Sequence, residues 1–309
     1  MQNEHPGRQK LKEEEKYHMS LVTSPYTIPA AFVATEHVVH PNGLWVVGPD
    51  RRWNPVNEQQ RRYLEIFEIA RKEVGSIPEI EAQGSFVAEV LNAFLRVHGF
   101  SMELEPFAPD EFGVAAVFQV VLAWFKTGKA HNIVRSDGKT YPGVLMEHDL
   151  PAFTVPGHEN PVISLPTKTA DIVYLTMIEK PADECAMIAT ARQCMASRQQ
   201  AGTTQVLFPM VDLDLKVALE WLKGMWTLPQ SGPQLKVTQA LRQTKVKMNE
   251  EGVRIEEAAA VGIAFAAVFL PHRHVIDRPF LMWVDRPGLS LPLFVGYITE
   301  EDWKKPGKS

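Results

Sequence analysis

The stretch 248–296 constrains the fold more than any other. It reads MNEEGVRIEEAAAVGIAFAAVFLPHRHVIDRPFLMWVDRPGLSLPLFVG. An acidic turn with one glycine, Gly252, opens it. A run of small and β-branched residues follows, then a polar linker, then two strongly apolar strands. Few of the Gly, Asn, Asp and Ser residues that punctuate ordinary loops interrupt the run. Its alternation and β-branched content are those of a strand whose partner strands lie elsewhere in the chain. Alanine also has the best helix propensity, and Glu256 and Glu257 would suit a helix N-terminus, so a local helix over 258–267 is the competing reading.

The remaining sequence excludes several function classes. With 45% apolar and 22% charged residues among 309, the chain is globular rather than disordered. The net charge of -5, without a basic stripe, argues against nucleic acid as a partner. No apolar run reaches the length of a membrane span, so no membrane partner is expected. The polar stretch 1–18 reads as a tail. It has no apolar core of the kind a secretory signal needs, which favours an intracellular location without fixing a compartment. Cys185 and Cys194 lie nine apart in a helical-looking stretch and read as reduced thiols. His272 and His274 point apart in a strand and lack a third ligand, so a solvated linker is expected and no metal. Asp212 and Asp214 share an exposed strand face and form no acid–base pair. Ser24 lacks the G-x-S-x-G elbow of a hydrolase. No P-loop or G-x-G-x-x-G is present, no cofactor is expected, and no constellation suggests an enzyme.

Periodicity places the elements. Ser24 and Pro25 suit the start of a helix over 24–32, shortened or kinked at Pro29. A strand is expected over 42–47 and an amphipathic helix after Asn54–Pro55. A second helix is expected over 85–97, with Phe86, Val90, Ala93, Phe94 and Val97 on its apolar face. The segment 112–126 is almost wholly apolar and reads as a central strand. SDGK at 136–139 is a turn. Strands over 162–166 and 171–178, a helix over 182–200, a strand over 204–213 and a short helix over 216–222 follow. A turn-helix segment then precedes a strand over 244–248. No fixed-period repeat or linker divides the chain, so one α+β domain over 1–309 is expected, with large, mainly antiparallel sheets and a reduced set of helices.

The order of these pieces resembles the serpin family. NEEG (249–252), DRPFLMWV (277–284) and LPLFVGYI (291–298) resemble the family's hinge and the two strands that end it. Upstream, SPYTIPAAF, NGLWVV, VVLAWFKTGK, ISLPTKTADIVYLTMIEKPAD and QVLFPMVDLDLKVALEWLKGM resemble further family segments in collinear order, so the likeness spans roughly 20–300. Between Phe32 and Asn42 the family would carry several more helices.

The resemblance implies a serine protease inhibitor with no catalytic residue of its own. Segment 252–276 would be a reactive-centre loop, cut by a target protease and inserted into the largest sheet of a metastable fold. It implies a hinge at Glu250, Glu251, Gly252, Val253, Ile255 and Glu257, and a scissile bond near Ala266–Ala267. Phe265 would suit a chymotrypsin-like protease and Ala266 an elastase-like one. A monomer is expected, with loop exchange the route to an oligomer. Strand alternation puts Val253, Ile255, Glu257, Ala259, Val261, Ile263 and Phe265 on one face, where Glu257 is the single carboxylate to be buried. The family often has a His where Arg242 stands, an Asn at Val121 and a Trp at Ala130 or His131. The alternative function is a non-inhibitory serpin-fold binding or structural protein.

Overall fold

The computed structural model describes residues 19–40, 45–48, 55–108, 111–230, 234–254 and 273–307. Among the described residues the α-helices are α1 (Thr27–Val39), α2 (Pro55–Glu73), α3 (Ala88–Val97) and α4 (Glu184–Ser197). The first strands are β1 (Leu21–Thr23), β2 (Ile80–Ser85), β3 (Gly113–Phe118), β4 (Leu122–Ala123), β5 (Lys129–Val134), β6 (Thr140–Val155), β7 (His158–Pro166) and β8 (Ile172–Met177). Then come β9 (Gln199–Pro209), β10 (Val211–Ala218), β11 (Trp226–Thr227), β12 (Leu235–Lys236), β13 (Leu241–Met248), β14 (Gly252–Arg254), β15 (Arg273–Val275), β16 (Phe280–Asp285) and β17 (Phe294–Ile298).

Nine strands form one sheet in the order β1-β17-β16-β8-β7-β6-β9-β15, with β5 added on β6. Its inner strands β16 and β17 are buried on both faces, which is why their sequences are apolar without alternation. A second sheet runs β10-β13-β14-β4, and β2 pairs with β3. Helix α1 packs on β2 and β3. The main core lies between the two sheets and takes in Phe67, Trp124, Phe208, Met248 and Trp283. A smaller core over the outer face of β3 joins Leu91 and Leu95 of α3 to Ala115 and Val117, with Phe100, Met102, Leu104 and Phe107 packed on it.

Several sequence expectations need correction. Helix α1 starts at Thr27 and runs on to Val39. Pro29 therefore falls in its first turn, where a missing N–H costs nothing and no kink results. Helix α3 starts at Ala88, because Ile80–Ser85 forms β2. Its buried face carries Ala88, Leu91, Asn92 and Leu95, while Phe86 and Val97 are 62% and 83% exposed. The strand expected over 42–47 is, within the described residues, a single bridge from Val46 to Trp226. The short helix over 216–222 is instead the end of β10 followed by a 3-10 turn at Glu220–Leu222. Among the described residues 234–240 there is no helix, and the strand expected at 244 begins earlier, as β13, at Leu241. The linker around His274 is β15, paired parallel with β9.

Candidate functional site

Strand β14 is the centre of the site. It is three residues long and antiparallel to both neighbours. Lys247 and Met248 of β13 stand opposite Arg254 and Val253, and Leu122 and Ala123 of β4 stand opposite Val253 and Gly252. Beyond β14 the edges diverge. Strand β3, which leads into β4, pairs with β2 on its outer side only, and β13 pairs with β10 on its outer side. The gap between β3 and β13 is a cavity of about 700 Å³. Thr27, Phe32 and Thr35 of α1 line its floor, and Met102, Leu104 and Phe107 its roof.

The turn into β14 is tightly built. The Asn249 side-chain oxygen accepts hydrogen bonds from the Glu251 and Gly252 amides, at 2.9 and 3.2 Å. Trp124 donates from its indole to the Asn249 carbonyl (2.9 Å) and from its amide to the Glu251 carbonyl (3.0 Å). The Gly128 amide donates to the Glu250 carbonyl at 2.8 Å. Gly252 approaches β4 so closely that an added Cβ would collide with the Leu122 carbonyl oxygen. Only glycine fits there. Val253 is fully buried and enters the main core.

A strap over 99–105 crosses the front of the gap, held by outward-facing side chains of β13 and the turn before it. The Gln243 side-chain oxygen accepts from the Ser101 and Met102 amides, at 2.8 and 3.0 Å. Lys245 donates to the Gly99 carbonyl (2.9 Å), and Gln239 exchanges hydrogen bonds with the Glu105 backbone. Behind the gap lies a buried ion pair. Arg242 is 7% exposed, and its two terminal nitrogens grip the Glu184 carboxylate of α4 at 2.7 and 2.6 Å. One of them also donates to the Thr23 hydroxyl at 3.1 Å. The Arg242 Nε has no partner among the described residues, and Arg242 lines the cavity.

Of the sequence-predicted hinge, Glu250, Glu251, Gly252 and Val253 come together at this turn and strand. Ile255, Glu257, Phe265, Ala266 and Ala267 lie outside the described residues. Cys185 and Cys194 are buried free thiols, and burial pushes the Cys185 thiol up to about 12. Asp214 and Asp212 serve as structural acceptors, for Gln243 Nε2 (2.6 Å) and the Gly307 amide (3.2 Å).

Comparison with solved structures identifies the fold. The fold matches mouse protein-Z dependent protease inhibitor at a TM-score of 0.56 and 13% identity, over 94% of each chain. It matches a serpin from the trematode Schistosoma haematobium at 0.57 and 11% identity, over 90% of this chain and 93% of the other. The chain has the serpin fold. A third match is thyroxine-binding globulin in complex with thyroxine, at 0.52 and 14% identity, over 94% of this chain and 95% of the other. No family model and no curated protein matches the sequence. Among the described residues three helices, α1, α2 and α3, precede β3.

Sequence reasoning missed the strap and the roles of Trp124, Asn249 and Gln243. For Asn249 a signal existed, since Asn caps and turns by accepting backbone N–H groups. For Gln243 and the strap there was none, because the contacts join positions some 140 residues apart in sequence.

Proposed function

We propose that this serpin-fold protein is a serine protease inhibitor that offers segment 252–276 as bait. The proposed hinge is Glu250, Glu251, Gly252, Val253, Ile255 and Glu257, and the proposed scissile region is Phe265, Ala266 and Ala267. Cleavage there would free the hinge side of the segment to continue β14 down the gap between β3 and β13, carrying the acylated protease with it. The observation that carries this reading is β14 itself. It is the first piece of a middle strand, already antiparallel to β4 and β13, above a gap where both flanking strands lack an inner partner. Filling the gap would pair those edges and bury apolar side chains, so the uncleaved form has stabilising contacts still to gain.

Glu257 favours a second reading, a non-inhibitory binding or structural protein. A carboxylate carried into the core by insertion costs several kcal/mol unless it is paired. Incubation with elastase-like and chymotrypsin-like proteases separates the two. An inhibitor gives a covalent complex on a denaturing gel, and cleaved protein melts well above the intact form. Loop cleavage without a complex and without a rise in melting temperature would exclude the inhibitor reading.

A further inference from the structure

Helix α3 carries two apolar stripes, and the fold uses one of them. Leu91 and Leu95 turn inward onto Ala115 and Val117 of β3. The other stripe, Val90, Ala93 and Val97, recurs at three- and four-residue steps and is exposed. Phe86 and Val87, also exposed, stand just ahead of the helix and lengthen the patch. Single exposed apolar side chains are ordinary, but a contiguous group marks an interaction surface. We infer that α3 pairs antiparallel with the α3 of a second copy of this chain, in a weak two-fold dimer. The inference uses no residue of the hinge and stands apart from the inhibitor reading.

The residues that flank the stripe select the occupant. Written as a heptad, Val90 and Val97 take position a and Ala93 takes d, while Glu89 and Arg96 take g and Phe94 takes e. In an antiparallel pair, a packs beside d of the facing helix and g lies beside g. Val90 of each copy then meets Ala93 of the other, a large residue against a small one, which lets the two helices approach closely. Glu89 of each copy meets Arg96 of the other. The surface is complementary to itself, and the two-fold axis forms each ion pair twice. A parallel pair would set Glu89 against Phe94 and match no charges. Within one chain Glu89 already pairs with Arg96, and Arg96 also pairs with Glu103 at 3.2 Å. All three side chains are exposed, so these bonds are weak and the charges can pair anew at little cost.

The length of the helix sets the strength of the contact. With ten residues, α3 is about 15 Å long. Two such helices cover less than the roughly 1,200 Å² of a stable interface, so the dimer forms reversibly and at high concentration. Its contacts join surfaces that are already folded, and no strand is exchanged.

Sedimentation equilibrium of the full chain over a range of concentrations tests this. Wild type should shift reversibly from monomer toward dimer. Val97→Glu should stay monomeric with an unchanged denaturation midpoint, because Val97 is 83% exposed in the monomer. Glu89→Arg and Arg96→Glu should each weaken dimerisation about tenfold, since two opposed pairs become like-charged. Mixing those two variants should restore it, since every pair in the hybrid again joins an arginine to a glutamate. A wild type that stays monomeric up to its solubility limit would overturn the dimer and leave the stripe to a different protein. Val97→Glu dimerising as well as wild type would move the interface off α3 and overturn the proposal. A mixture that associates no better than its two components would overturn the antiparallel pairing. Dimers that persist on dilution would point to strand exchange instead.

Discussion

Gly252 shows how one missing side chain can decide a strand. Its amide is held by Asn249, and its Cα lies against the backbone of Leu122 and Ala123. A methyl group added there would strike a carbonyl oxygen, backbone that cannot swing aside as a side chain can. Gly252→Ala should therefore detach β14 from β4, at a cost of about 1–3 kcal/mol for an overpacked site. Amide exchange at Val253 reads this directly. Unchanged protection there, with an unchanged denaturation midpoint, would show that β4 yields instead. The glycine was legible in the sequence as the single breaker in an acidic turn, but the backbone approach that requires it was not. Arg242 was legible only as a departure from a family pattern. Its burial, its bond to Glu184 and its open Nε depend on α4, which lies some sixty residues earlier in the chain.

At the scale of elements, long apolar strands were easiest to read and short amphipathic ones hardest. The segments that became β7, β8, β16 and β17 are apolar and bounded by proline or turn residues, so their existence followed from composition. The 16-residue β6 did not, because prolines and polar residues interrupt its pattern and its two ends serve different neighbours. Helix α3 was found with its apolar face misjudged. Two stripes compete on it, and packing against β3 selects the one with Leu91 and Leu95. The strap depends on Gln243, whose removal leaves the Ser101 and Met102 amides without their acceptor. Gln243→Ala should destabilise the intact protein by about 1–2 kcal/mol and, on the proposed insertion mechanism, speed the rise in thermal stability after loop cleavage severalfold. An unchanged rate would mean that the strap does not obstruct the gap. Strand β15 carries a pH dependence of its own. Burial lowers the pKa of His274, only partly offset by Asp277, and its Nε2 is buried without a partner among the described residues. A base whose folded pKa is lowered binds protons preferentially in the unfolded chain, so stability falls as pH drops below the unfolded value of about 6.5. His274→Phe should flatten that limb, measured as amide protection of β15 between pH 7 and pH 5. An equal loss of protection in the variant would assign it to another group.

At the scale of the molecule, two arginines join the two sheets. Arg242 reaches from β13 to α4 and β1. Arg286, just after β16, reaches Asp171 before β8 and Glu79 before β2, so it ties the β2–β3 pair beside the gap to the nine-stranded sheet. Insertion would need the gapped sheet to widen while the other stays fixed, and the Arg286 tie fixes the β2 side against that movement. Burial alone would raise the Glu79 carboxyl, but hydrogen bonds from Arg286 outweigh it and carry the carboxyl below its usual range. The sign follows from that direction. Glu79 in the folded protein gives up its proton more readily than in the unfolded chain, so its contribution is complete above an unfolded value near 4.3. It is lost as pH falls through the lower folded value. Glu79→Gln should cost on the order of 1–2 kcal/mol at neutral pH, as for a hydrogen bond to a charged group. The difference between variant and wild type should shrink as pH falls below about 4. Denaturant midpoints measured from pH 7 to pH 3 give both curves. Parallel curves would mean that Asp171 alone holds Arg286. Converging curves would identify the Glu79 tie as an acid-labile bond between the sheets, and loop cleavage at pH 3.5 should then produce its thermal gain faster than at pH 7.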